Sequence, residues 1–184
     1  MPFTFLEKDE VEFFNEQHKL DDRIIGLVIP SLIESRLNQI IQDCWHDTSN
    51  GDLLGELFRD GGALGSFQTC AQVGFAIGLY DEGIFTDLKL IVKIRNAFAH
   101  RVGARNFETQ PICDFTRNLS LPTRYPKENS DVALTGTREQ MIEQLMRMSG
   151  LIDLGPLRHR FLRATEIILT WQEIKFGRFT LPPT

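Results

Sequence analysis

Three cysteines in 184 residues, Cys44, Cys70 and Cys113, are too few and too widely spaced for a disulfide framework or a zinc site. Reduced and mostly buried thiols are the expectation. His18, His46, His100 and His159 lie far apart, and Cys44-Trp45-His46 is the one adjacent Cys/His pair, so neither metal nor cofactor is expected. A long apolar run is missing too: the best, Ile24 to Ile33, is broken by Pro30 and falls short of the roughly eighteen residues of a membrane span. The N-terminus has no basic region followed by an apolar core, so no secretion signal is expected and the cytoplasm is the expected location. Positive charge is also scarce. The formal net charge of −5 argues against a surface built to grip phosphates. No alternating strand pattern, internal repeat or glycine-rich phosphate loop is visible.

What remains is helical periodicity, and one all-α domain over 1–184 is expected. Two long central helices, about 20–46 and 81–100, should form the middle of the bundle. An acidic helix should precede them within 1–19; over residues 1–22 acids outnumber lysines seven to two. Asp21 or Asp22 can cap the first long helix, and Pro30 should kink it or start a new turn. Leu53, Leu54, Leu57 and Phe58 suit a short amphipathic piece. Gly74 and Gly78, one turn apart, suggest close helix packing. A short helix is expected within Pro111 to Asn118, then an irregular loop over 119–136. Thr137 should open a helix through Met141, Leu145 and Met148, and the last helix should occupy 157–177.

The run from Ile84 to His100 carries the candidate site. At about 100° per residue, Ile84, Leu88, Ile91 and Phe98 share one face with Arg95 in its middle. Lys89, Lys93, Asn96 and His100 share a narrow polar stripe. Arg95 thus stands where a leucine is expected and should be paired. Glu34 has the complementary problem, since it shares a face with Leu27, Leu37, Ile41 and Trp45, and an unpaired buried carboxylate is costly. A Glu34–Arg95 ion pair between the two long helices is the expectation, with Arg36 or Arg23 competing for the acid and Asp87 for the arginine. Such a pair would fix helix register more than it stabilises.

The residues Gly62-Ala63-Leu64-Gly65-Ser66-Phe67, Gly78-Leu79, Asp87-Leu88 and Ile91-x-Lys93-Ile94-Arg95-Asn96-Ala97-Phe98-Ala99-His100 resemble the MltR family, the mannitol operon repressor-like proteins of bacteria, from about Gly61 to Leu119. That resemblance implies a bacterial transcriptional regulator of sugar-alcohol uptake genes. No basic helix-turn-helix pair is visible, so such a regulator would act chiefly through another regulatory protein, as a homodimer, without direct base readout.

A second, shorter resemblance is to the R-x4-6-H motif of HEPN domains, which include metal-independent endoribonucleases of toxin or defence type. It implies Arg95 steadying a phosphate, Asn96 orienting it and His100 exchanging protons with the ribose hydroxyl or the leaving oxygen. Positions five apart lie about 140° apart around a helix, so Arg95 and His100 would have to meet across a dimer or after local unwinding. The structural alternative makes Arg95 an ion-pair member and His100 a helix C-terminal cap. Direct nucleic-acid binding through a basic patch on the last helix, Arg158, Arg160 and Arg163, ranks third.

Overall fold

The computed structural model describes residues 20–44, 51–100, 106–126, 136–148 and 157–175. Within them the chain is all-α, with no strand. The helices in order are α1 (Asp22–Asp43), α2 (Gly51–Phe58), α3 (Phe67–Ala76), α4 (Glu82–His100), α5 (Ile112–Arg117), α6 (Leu121–Arg124), α7 (Arg138–Met148) and α8 (Leu157–Lys175). The acidic helix expected within 1–19 and most of the loop after α6 lie outside the described residues. Within the loop expected to be irregular, residues 121–124 form the short helix α6.

Helix starts follow from local chemistry. Asp21 caps α1 by accepting from the Arg23 N–H at 2.8 Å. Ser66 caps α3 through the Thr69 N–H at 3.1 Å, and Asp81 opens α4 by accepting from the Ile84 N–H at 3.0 Å. Each side chain takes up a donor that the first helical turn leaves without a partner. α1 continues through Pro30 as one helix, with Pro30 buried.

Two glycines behave differently from the close-packing pair expected. Gly78 follows α3 with φ of 75°, a left-handed turn that disfavours any side chain. Gly74 alone serves close approach: a methyl there would sit 2.7 Å from the Tyr80 hydroxyl. A third glycine escaped notice. Gly26 of α1 is the point where the Phe98 ring of α4 lies flush on the backbone, and a methyl would overlap that ring.

α1 packs against α3, α4 and α8. Ile25, Ile29, Ile33, Leu37 and Ile41 form its fully buried side, against Leu88, Ile91 and Phe98 of α4 and Phe161, Ile167 and Ile168 of α8. By length and composition α1 could cross a membrane, but half of that stretch is buried in the bundle, as in a core helix. α8 is enclosed on every side, each residue from Phe161 to Ile174 being buried. Two of its buried polar groups reach α1: Arg36 of α1 pairs with Glu173, and the Gln172 side-chain amide donates to the Ile33 carbonyl at 3.1 Å.

A candidate polar cavity between the first long helix and the arginine helix

Near the middle of α1, the side away from the core carries Ser31, Glu34, Ser35 and Asn38 at helical spacing. Opposite them, α4 contributes Val92, Arg95 and Asn96, and the turn from Phe58 to Phe67 closes the third side. The open space between them is about 530 Å³, within the usual range of volume for small-molecule sites.

The expected ion pair is present across this cavity. Arg95 Nη2 lies 3.4 Å from Glu34 Oε2. It is not, however, locked in the core. The Arg95 side chain is 35 % exposed and that of Glu34 19 %, so the pair stands at the lip of the bundle. The reason is geometric: where α1 and α4 part, the short side chains Ser31 and Ser35 leave the guanidinium open to the cavity instead of covering it. Burial pushes the Glu34 carboxyl above its ordinary value, Arg95 and the Phe67 N–H pull it down, and nearby Asp60 pushes it up again.

The competitors for this pair are used elsewhere. Arg36 is taken by Glu173. Asp87, fully buried, accepts from the Ser120 N–H at 2.8 Å, the Ser120 hydroxyl at 2.9 Å and the Leu121 N–H at 2.9 Å, which ties the start of α6 to α4. Burial raises its pKa, and the two N–H donors and the hydroxyl offset that only in part.

Arg95 and Asn96 line the cavity together, while His100 does not. α4 is α-helical without interruption to His100, so the imidazole sits exposed in the last turn on a different side from Arg95. Its position suits the cap of a helix C-terminus.

The arginines of the third-ranked reading, a basic patch on the last helix, are drawn onto the bundle. Arg158 is drawn onto Asp22 at 2.8 Å and the Leu20 carbonyl at 3.0 Å. Arg160 donates to the Leu119 carbonyl at 2.6 Å and to Thr123. Arg163 is wholly buried and donates to the Tyr125 and Met146 carbonyls. All three guanidiniums satisfy carbonyls or a carboxylate of the bundle, so Arg163 is withheld from phosphate and the other two are largely occupied.

Cys70 and Cys113 are buried as expected, and burial lifts the Cys70 thiol to about 11; Cys44 is exposed. Among the described residues no group of His, Cys, Asp and Glu is placed to hold a metal ion. The cavity's polar wall was partly legible, since Ser31, Ser35 and Asn38 recur at i, i+4 and i+7 on α1. Asp60, Ser66 and Gln68 come from the glycine-rich turn and the start of α3, where no periodicity marks them. Compared with known proteins, the chain matches no protein-family model and no curated protein.

Proposed function

We propose that this chain is a non-catalytic helical regulator of the mannitol operon repressor-like type, acting in the cytoplasm through protein contacts as a homodimer. The observation that carries the non-catalytic part is the disposition of the arginine motif. Arg95 faces Glu34, a carboxylate that neutralises it, and the unbroken α4 holds His100 elsewhere. A general acid or base must come within hydrogen-bond reach of the group it serves, and within one chain this arrangement keeps the pair apart. The inward-turned arginines of α8 support a regulator that leaves base readout to a partner. Ile24 and Val28, one turn apart on α1 and 45 % and 43 % exposed, are apolar groups of the kind such contacts use.

Sedimentation of the purified chain tests the dimer, and affinity capture from a bacterial lysate, beside an Ile24→Asp/Val28→Asp variant, tests the partner. A monomer at all concentrations, or capture that the double substitution leaves unchanged, counts against the proposal.

One observation favours a second reading, a HEPN-like ribonuclease: Arg95 and Asn96 both border an open cavity. Its measurement is cleavage of labelled RNA by the wild type and by Arg95→Ala/His100→Ala. Cleavage abolished in the double variant would put the nuclease first.

A further inference from the structure

The cavity holds two carboxylates, Glu34 and Asp60, against one guanidinium, Arg95, and is thus one positive charge short. Glu34 and Arg95 meet at 3.4 Å, longer than the 2.7–2.9 Å of a tight charge-assisted bond, so neither group is fully engaged by the other. The Ser31 hydroxyl spends its proton on the Leu27 carbonyl at 2.9 Å, which leaves its oxygen as an acceptor. One side of the cavity therefore asks for a cationic donor. The other side is apolar, formed by Phe58, Phe67 and Val92. The upward push on the Glu34 carboxyl from burial and from Asp60 agrees with a site that lacks a cation.

We infer that this cavity binds a small primary ammonium compound bearing an apolar group, the ammonium donating to Glu34 and Asp60 and the apolar part lying against Phe58 and Phe67. The ammonium supplies three donors and the missing charge, and buried or half-buried acceptors gain most from such a partner. This goes beyond the regulatory proposal and does not need it, because it concerns only what the cavity holds.

The test is a titration of the full-length chain, followed by ¹⁵N–¹H resonances, with L-leucinamide and with N-acetyl-L-leucinamide. The two have the same side chain and hydrogen-bonding amide, but the second has no charge. Leucinamide is expected to shift the Ser35, Asn38 and Asn96 resonances saturably, and the acetylated compound to leave them in place. Asp60→Asn, an exposed position that the fold does not rest on, is expected to weaken leucinamide binding about tenfold or more. Ser35→Phe, which fills the mouth without removing a charge, is expected to abolish it. Equal shifts with both compounds, saturable binding unchanged in Asp60→Asn, or no saturable shift at these residues would overturn the inference. None of these results depends on the oligomeric state or on a protein partner, so the regulatory proposal stands or falls separately.

Discussion

Of the ion pairs that tie α1 to its neighbours, two differ sharply in their surroundings and therefore in weight. Glu34–Arg95 stands at the lip of the bundle, where water screens it and the side chains keep mobility. A double-mutant cycle with Glu34→Gln and Arg95→Leu is expected to give a coupling no larger than about 1 kcal/mol. Arg36–Glu173 is enclosed, at 8 % and 2 % side-chain exposure. Removing the guanidinium with Arg36→Leu takes a charged partner from a buried carboxylate and is expected to cost about 3–5 kcal/mol in urea unfolding. Reversal of that order would mean that the two pairs have been assigned the wrong roles. Asp81 adds a pH-dependent contribution. Burial raises its pKa, but the Ile84 N–H and Arg124, at 2.6 Å, outweigh this and hold it below the ordinary 3.8. A carboxyl depressed by folding stabilises fully above its unfolded value and loses that contribution as pH falls through the folded one. Asp81→Ala should therefore cost about 0.5–2 kcal/mol near neutral pH, with the gap to wild type closing only below pH 3.8. A gap that stays constant through acidification would show that the side chain acts by packing alone.

Helix positions were largely legible in the sequence, because apolar spacing and capping residues act over one or two turns. α1 and α4 begin within two residues of the expected bounds. Partners were less legible, because they depend on which turn of one helix meets which turn of another. Asp87 illustrates this. In sequence it reads as a rival for Arg95, whereas in the fold it reaches the backbone of 120–121 and serves as a cap for a helix it does not belong to. Asp87→Asn keeps the size but replaces one acceptor oxygen with a donor that faces an N–H. A loss of about 1–3 kcal/mol is expected, together with faster proteolysis near α6. Unchanged stability and digestion would remove the anchoring role. The arginines of α8 were misread for a related reason: charge in a sequence ordinarily marks water, and only the enclosing helices reveal that carbonyls await it. The cavity was half visible, its α1 wall being periodic and its turn wall not.

At the scale of the molecule, a long helix with water on no side has a kinetic consequence. From 161 to 174, α8 sits at the bottom of the bundle. No local fraying can bring its backbone to solvent while α1, α5, α6 and α7 remain seated around it. Its amide protons should then exchange with deuterium only through opening of the entire domain, at one common rate set by the global free energy. The lip around Arg95 should exchange orders of magnitude sooner. Such a division would give the domain an anchored spindle beneath a yielding rim, so that a guest could enter or leave the rim without loosening what turns around the spindle.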